Sequence, residues 1–213
     1  MSSIFLKALA GTRLYALTDR GLAGLSHAEQ VSRLNDGGAT LVQLREKILS
    51  PLEFFREAAE ALRIARELGL KIIINDRVDI ALALKASGVH LGQDDLPPEA
   101  ARRLLGPEII LGFSTHNLDQ ARLAVKMPID YIAIGPIFRT SSKHASEPPV
   151  GLDGLRQVRQ AVGKIPLVAI GGITSDTSQD VLEAGADAIA VISDIWTCAG
   201  QVAAQTERLL HRI

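Results

Sequence analysis

The sequence has little cysteine, few aromatic residues and no long apolar run. Cys198 is the one cysteine in 213 residues, which excludes an intrachain disulfide or a cysteine-rich metal site and predicts a reducing, cytoplasmic environment. No stretch of about 18 apolar residues is present, so no membrane-spanning helix is expected, and segment 1–13 lacks a secretory layout. With 23 basic and 24 acidic residues, the net charge of −1 predicts no nucleic-acid or anionic-membrane partner.

The sequence is instead rich in aliphatic residues, and 47% of the chain is apolar. Short apolar runs alternate with stretches of helical periodicity, and most runs are apolar at successive positions, which is typical of parallel strands covered on both faces. The predicted strands are Leu14–Thr18, Thr40–Leu44, Lys71–Asn75, Val89–Gly92, Ile109–Phe113, Tyr131–Gly135, Leu167–Ile170 and Ala188–Ile192. The predicted helices run from the cap Ser26 to Leu34 and over Leu52–Leu68, Asp76–Lys85, Pro98–Leu105, Asn117–Lys126, Leu152–Val162, Asp176–Ala184 and Ala199–Leu210.

Eight strand-then-helix units in this length average about 27 residues, which predicts a single (β/α)8 TIM barrel forming one catalytic domain over 1–213. The alternative is a doubly wound open sheet. That fold normally has fewer strands and a glycine-rich nucleotide loop after the first one. Here the first strand continues into Thr18, Asp19 and Arg20 without such a loop, so the barrel is favoured.

Two basic side chains follow the second predicted strand, at the end where TIM barrels build their sites. Arg45 and Lys47 flank Glu46, so strand alternation sends both cations to one face. A planar guanidinium and a compact ammonium together suit a phosphate or diphosphate. The alternative is a salt bridge between these cations and Glu46 at the rim.

Two carboxylates end neighbouring predicted strands. Asp76 follows the third strand and Asp95 the fourth, so the two can converge. Two carboxylates beside a diphosphate suit Mg²⁺, which takes one or two protein carboxylates together with phosphate oxygens and water. The alternative is that each aspartate caps the helix that follows it. Asp94 cannot be separated from Asp95 by position alone.

Further anion-binding groups follow the last three strands. Gly171-Gly172 and Ile192-Ser193 lie where barrels commonly bind phosphate, although a tight turn also requires glycine. The segment Arg139–Val150 is long for such a loop and is either a functional lid or a solvated loop. Its hydroxyl and ammonium donors are Thr140, Ser142 and Lys143.

The histidines predict no catalytic base. His90 lies within the fourth predicted strand, where a hydrogen-bonded core residue is expected, and His116 either reaches the site or precedes a helix. No serine–histidine–aspartate or cysteine–histidine arrangement with a credible geometry is present, which disfavours nucleophilic hydrolysis.

Taken together and in order, these motifs resemble the thiamine phosphate synthase family over Tyr15–Trp196. The resemblance rests on Gln43-Leu44-Arg45-Glu46-Lys47, Ile74-Asn75-Asp76, His90-Leu91-Gly92-Gln93-Asp94-Asp95, Gly112-Phe113-Ser114, Gly135-Pro136-Ile137-Phe138, Thr140-Ser141-Ser142-Lys143, Ala169-Ile170-Gly171-Gly172-Ile173 and Val191-Ile192-Ser193. Two positions depart from the family pattern: Arg139 replaces a usual proline, and Ser142 a commoner threonine.

The resemblance implies that a hydroxymethylpyrimidine diphosphate condenses with thiazole phosphate to give thiamine phosphate and diphosphate, with Mg²⁺ as cofactor. By the family pattern, Arg45, Lys47 and Lys143 act in catalysis, and Asp76 and Asp95 hold the metal. Substrates would contact Gln43, Arg45, Lys47, Asn75, Ser114, Thr140, Ser142, Lys143, Gly172, Ile192 and Ser193. Small molecules are the expected partners, and a homo-oligomer is possible.

Three other functions stay open at this point. A thiazole tautomerase of the same superfamily tends to lack the two carboxylates, so Asp76 and Asp95 argue against it. A phosphosugar isomerase or lyase would need a base or lysine inside the barrel, where Lys71 and Lys85 are poorly placed. The third alternative is a non-catalytic regulatory protein that binds a phosphate ligand.

Overall fold

The computed structural model describes residues 3–140, 148–196 and 199–213. Its strands pair in parallel with their neighbours in the chain, and the last pairs with the first, which closes a barrel. The strands are β1 (Leu14–Leu17), β2 (Leu41–Leu44), β3 (Lys71–Asn75), β4 (Gly88–Leu91), β5 (Ile110–Thr115), β6 (Tyr131–Ile134), β7 (Leu167–Ile170) and β8 (Ala188–Val191). The predicted (β/α)8 TIM barrel is therefore confirmed, and the open-sheet alternative is wrong.

The helices lie between the strands, as predicted, with ends that differ by a few residues. They are α1 (Ile4–Ala8), α2 (Arg20–Ala23), α3 (His27–Asp36), α4 (Pro51–Leu68), α5 (Val78–Leu84), α6 (Pro98–Leu105), α7 (Leu118–Ala124), α8 (Gly151–Val162), α9 (Ser178–Glu183), α10 (Ser193–Trp196) and α11 (Val202–Arg212). A 3-10 turn, Ala199–Gln201, precedes α11. None of the described helices is long and apolar enough to cross a bilayer.

Helix ends follow local chemistry where the sequence marks them. Ser26 caps α3 through a capping box, as predicted. Ser50 caps α4, and Gly69 ends it in a left-handed conformation. The helices α1, α2 and α10 were not predicted, because four or five residues are too few to show helical periodicity.

Aromatic side chains fill the barrel near the amino ends of its strands. Phe5, from α1, stacks on Tyr131 with ring centroids 4.0 Å apart, and Tyr15 meets Tyr131 edge-on at 6.0 Å. All three are at most 1% exposed. They form a closed floor, so the open interior lies above them, towards the carboxyl ends of the strands.

Gly112 in β5 makes room for this floor. A methyl group added at Gly112 would lie 2.0 Å from Tyr131 Cζ and 2.4 Å from its Oη, a severe overlap. We expect Gly112→Ala to lower the free energy of unfolding by about 3 kcal/mol, because the tyrosine cannot retreat from a packed core. Urea unfolding measures this. Gly200→Ala is the matched control, since no described atom lies within 4 Å of its added methyl, and a comparable loss there would contradict the packing explanation.

Candidate active site

A cavity of about 220 Å³ opens at the carboxyl ends of the strands. Its walls combine polar side chains of β2–β5 and the loops after them with apolar residues of the remaining strands. Seven residues predicted for the site line it: Gln43, Arg45, Lys47, Asn75, Asp76, Asp95 and Ser114. Residues separated by up to 71 positions in the chain, from Gln43 to Ser114, thus share one cavity because parallel strands all end at the same rim.

The other predicted residues lie outside the cavity lining or outside the described residues. Gly172 follows β7, and Ile192 and Ser193 follow the adjacent strand β8. Thr140 is half-buried after β6, whereas Ser142 and Lys143 lie outside the described residues. Gly172, Ile192 and Ser193 are therefore outside the cavity lining, although Ile170 and Ala190 of the strands before them belong to it.

Gly172 is needed for a close approach between two loops. It adopts φ +68°, and a Cβ there would lie 2.6 Å from the carbonyl oxygen of Arg139 and 2.8 Å from Phe138 Cβ. The main chain of the β6–α8 loop thus occupies the space that the missing side chain leaves. This contact accounts for the glycine by packing, whatever ligand binds nearby.

Both rim cations pair with aspartates and not with Glu46. Arg45 Nη1 donates to Asp19 Oδ2 at 3.0 Å, and Lys47 Nζ donates to Asp76 Oδ2 at 2.5 Å. The predicted alternative, a salt bridge with Glu46, is wrong. Within the described chain, Arg45 Nε is buried and has no hydrogen-bond partner. The described residues therefore provide no acceptor at this position. Because an unpaired buried donor is costly, this nitrogen is suited to bind an acceptor from a ligand.

Glu46 instead holds the loop that carries the cations. Its Oε1 accepts from the backbone N–H groups of Lys47, Ile48 and Leu49 at 2.7–3.2 Å, and its Oε2 lies 3.3 Å from His27 Nε2. The side chain turns away from the cavity, towards helix α3, because strand alternation opposes it to Arg45 and Lys47. Sequence spacing predicted the two faces, and what proved wrong was the alternative that paired Glu46 with the two cations.

Acid should lower the stability of the fold through His27, which is fully buried. Burial lowers the pKa of His27 below its ordinary value of 6.5, and nearby Arg20 lowers it too, against the opposing effects of Glu46 and Glu57. The folded protein therefore resists the proton that the unfolded chain binds. The stabilisation is complete above pH 6.5 and is lost as the pH falls below it, by up to about 1 kcal/mol per pH unit.

We expect His27→Gln to flatten this slope between pH 6.5 and 5, as measured by urea unfolding at several pH values. The matched control is His211→Gln, because the His211 side chain is 75% exposed and should leave the slope unchanged. An equally steep loss in His27→Gln would contradict the assignment.

The two aspartates face each other and cap no helix. Helix α5 begins after Arg77 and α6 after Pro97, and neither has a side-chain cap, so the capping alternative is wrong. The Asp76 and Asp95 carboxyl groups lie within hydrogen-bonding distance of each other. Burial raises the pKa of Asp76, the Lys47 hydrogen bond opposes this, and Asp95 adds to the rise. Two adjacent carboxylates of this kind favour a bound cation.

Asp76 also has a backbone conformation that is uncommon outside glycine, with φ +63°. Its N–H donates to the His90 carbonyl oxygen at 2.8 Å, which holds the turn across β3 and β4. Such conformations cost of order 1–3 kcal/mol and cluster at functional sites. Among the described residues, no group of three or more His, Cys, Asp or Glu could form a metal site made of protein alone.

Sequence reasoning missed part of the cavity lining, namely Tyr15, His90 and Gln93, whereas His116, for which a place in the site was one of two alternatives, does line it. His90 is a hydrogen-bonded core residue as predicted, since it contacts Tyr131 Oη and Ser114 Oγ at 2.8 Å each, but its ring also lines the cavity. The sequence feature that could have identified His90 is the alternation of side chains between the two faces of β4 and β5. It places His90 and Ser114 on the inward face, with His90 beside Gly112 in the register.

Comparisons with known proteins agree with this geometry. A family described as thiamine monophosphate synthase matches residues 14–195. The thiamine-phosphate synthase of Chloroflexus aurantiacus is 50% identical over 184 residues, covering 86% of this chain and 84% of the relative. The thiamine-phosphate synthase of Koribacter versatilis is 46% identical over 206 residues, covering 93% of this chain and 96% of the relative.

The solved structure of thiamine phosphate pyrophosphorylase from Pyrococcus furiosus superposes with a TM-score of 0.86 at 36% identity. The match covers 98% of this chain and 96% of that one. Family match, sequence identity and fold agree over nearly the whole chain. The chain belongs to the thiamine monophosphate synthase family.

Proposed function

We propose that this chain is a thiamine phosphate synthase that joins a 4-amino-2-methylpyrimidine bearing a diphosphooxymethyl group to thiazole phosphate, releasing diphosphate. The observation that carries the proposal is that two cations and two carboxylates converge on one cavity, in a chain half identical to a named synthase. No specific observation favours the tautomerase, the phosphosugar enzymes or a non-catalytic protein.

Arg45 and Lys47 are suited to bind the diphosphate. Arg45 is held by Asp19 on one nitrogen, and its buried Nε still lacks an acceptor among the described residues. A phosphate oxygen would satisfy that donor with a charge-assisted hydrogen bond. The Lys47 side chain is 51% exposed and is free to reach a ligand from the rim.

Asp76 and Asp95 fit Mg²⁺, because this ion takes one or two carboxylates and completes its shell with water and phosphate oxygens. When bound, the ion would supply positive charge that stabilises the departing diphosphate. The chemistry of the donor set supports the assignment, since one of the two neighbouring carboxyl groups has a raised pKa, and among the described residues the ion pair at this pair of carboxylates is the one with Lys47.

In the proposed reaction, the bond between the pyrimidine methylene carbon and the diphosphate oxygen breaks, and the oxygen keeps the electron pair. The thiazole nitrogen then bonds to the methylene carbon and becomes positively charged. Arg45, Lys47 and Lys143 would balance the leaving charge. Gln43, Asn75 and Ser114 would orient the pyrimidine, while Thr140, Ser142, Gly172, Ile192 and Ser193 would hold the thiazole phosphate.

The chain's own chemistry in this scheme is binding, charge balance and exclusion of water. Leu17, Val168 and Ile170 supply apolar cavity wall beside the polar groups, which suits a reactive carbon that water must not reach. We also propose that 1–213 acts as one catalytic domain on small molecules in the cytoplasm. Assembly of several copies stays a prediction.

A thermal-shift experiment tests the binding part of this proposal. At 100 times its dissociation constant, a ligand of the folded state adds about 2.7 kcal/mol, which should raise the melting temperature by about 5–10 °C. We expect this shift with diphosphate and Mg²⁺ together and little with either alone. Asp95→Asn should abolish the dependence on Mg²⁺. Equal shifts with and without the metal would contradict the metal assignment.

A further inference from the structure

A continuous chain of buried hydrogen bonds crosses the barrel below the cavity. Gln43 Nε2 donates to Tyr15 Oη at 2.8 Å, and Tyr15 Oη lies 3.0 Å from Tyr131 Oη. Tyr131 Oη lies 2.8 Å from His90 Nδ1, and His90 Nε2 lies 2.8 Å from Ser114 Oγ. We call these five side chains the buried relay. Its two ends, Gln43 and Ser114, line the cavity.

The first hydrogen bond sets the direction of all the others. Tyr15 Oη accepts from the Gln43 amide, and its other hydrogen-bond partner among the described residues is Tyr131 Oη, so Tyr131 Oη is the acceptor for the Tyr15 proton. Tyr131 then donates to His90 Nδ1, which must be unprotonated to accept. A neutral imidazole carries its proton on the other nitrogen, so Nε2–H donates to Ser114 Oγ. The tyrosines stay protonated throughout, since burial raises the pKa of both hydroxyls.

This direction fixes what each end presents to the cavity. Ser114 Oγ already accepts from His90, so its hydroxyl proton is available to a ligand. The Gln43 amide nitrogen donates one of its two N–H groups to Tyr15, and within the described chain its carbonyl oxygen Oε1 accepts no hydrogen bond, so Oε1 is the acceptor left for a ligand. The two ends of the relay therefore present a hydroxyl donor at Ser114 and a carbonyl acceptor at Gln43 to the cavity.

We propose that the buried relay selects an aminopyrimidine over its oxo analogue, with Tyr15, Tyr131 and His90 as positioning residues. A 4-aminopyrimidine has an unprotonated ring nitrogen that accepts and an amino group that donates, which complements Ser114 and Gln43. A 4-oxopyrimidine presents a carbonyl acceptor and a ring N–H donor instead. The inference rests on the proposed function and adds the source of its substrate selectivity.

Removing the Tyr131 hydroxyl should remove the constraint that fixes which atoms of the relay donate and which accept. In Tyr131→Phe, the Tyr15 proton loses its acceptor, and it can regain one only if the Gln43 amide turns its oxygen inwards. Gln43 then presents its NH2 to the cavity, which suits the oxo compound. We expect the ratio of kcat/KM for the amino over the oxo pyrimidine diphosphate to fall about tenfold, the effect of one mismatched buried hydrogen bond.

The matched control is Thr115→Val, next to Ser114 on the opposite face of β5. It deletes a buried hydroxyl that donates to the Ala133 carbonyl oxygen at 2.9 Å and not to a relay side chain, and the expected loss of stability is comparable. Its amino-over-oxo ratio should equal that of the wild type. If Tyr131→Phe lowers both kcat/KM values by one factor, the role of Tyr131 is merely structural and the inference is overturned.

The proton position can be measured without substrate and on the unaltered wild-type relay. Nitrogen-15 NMR of histidine-labelled wild-type protein, with His90→Gln to assign the His90 signals, should show protonated Nε2 and unprotonated Nδ1 at neutral pH. A protonated Nδ1 would overturn the relay. A wild type that turns over neither pyrimidine would instead overturn the proposed function, so the two failures are distinguishable.

Discussion

Asp76→Asn should lower kcat roughly 10²- to 10³-fold, equivalent to about 3–4 kcal/mol of transition-state stabilisation. The change removes one of the two facing carboxylates proposed to hold Mg²⁺ and the partner of Lys47. Asparagine also tolerates the left-handed conformation that Asp76 adopts. The fold should therefore survive, with the free energy of unfolding changed by no more than about 1 kcal/mol.

The measurement is steady-state formation of thiamine phosphate over a range of Mg²⁺ concentrations, with circular dichroism to verify folding. Asp79→Asn is the matched control. It makes the same change three positions away, on a side chain that is 66% exposed and pairs with Arg77 outside the cavity. Activity of Asp76→Asn within a few-fold of Asp79→Asn would contradict the role assigned to Asp76.

Lys47→Ala should lower kcat about 10²-fold, with a smaller rise in KM for the pyrimidine diphosphate. Its ammonium lies at the cavity rim, 2.5 Å from Asp76, where charge would develop on the leaving diphosphate. An interaction that strengthens in the transition state appears in kcat, whereas equal binding of ground and transition states appears in KM alone. Because Lys47 is half exposed, its loss should leave stability nearly unchanged.

Lys71→Ala is the control for Lys47, since Lys71 is an exposed lysine at the opposite, amino end of β3 and should keep wild-type kinetics. Lys47→Ala combined with Asp76→Asn should cost less than the product of the two single effects, because the side chains are in contact. A rise in KM at constant kcat for Lys47→Ala would show that Lys47 binds substrate without stabilising the transition state.

The barrel was predictable because parallel strands covered on both faces leave continuous aliphatic runs, and the joints between helices and strands are marked by glycine, as at Gly69. The cavity was predictable in outline for the same reason. Once the strands are ordered, the polar residues after β2–β5 must share a rim. The family resemblance added the substrates and the metal, which no spacing rule supplies.

The sequence could not predict which side chains, distant in the chain, form ion pairs and hydrogen bonds with each other. Arg45 pairs with Asp19, 26 positions away, and not with adjacent Glu46, which turns towards His27. Helix α1 was also missed, although its Phe5 is central to the barrel floor, because five residues carry too little periodicity. Ser142 and Lys143 lie outside the described residues, so their roles stay predictions.

The most direct test of the central claim is to incubate the purified protein with both substrates and Mg²⁺ and to quantify products by chromatography. We predict thiamine phosphate and diphosphate in equal amounts, none after chelation of the metal, and recovery when Mg²⁺ is restored. A folded protein that forms no thiamine phosphate with any divalent metal tested, or forms it equally well as Asp76→Asn, would contradict the account.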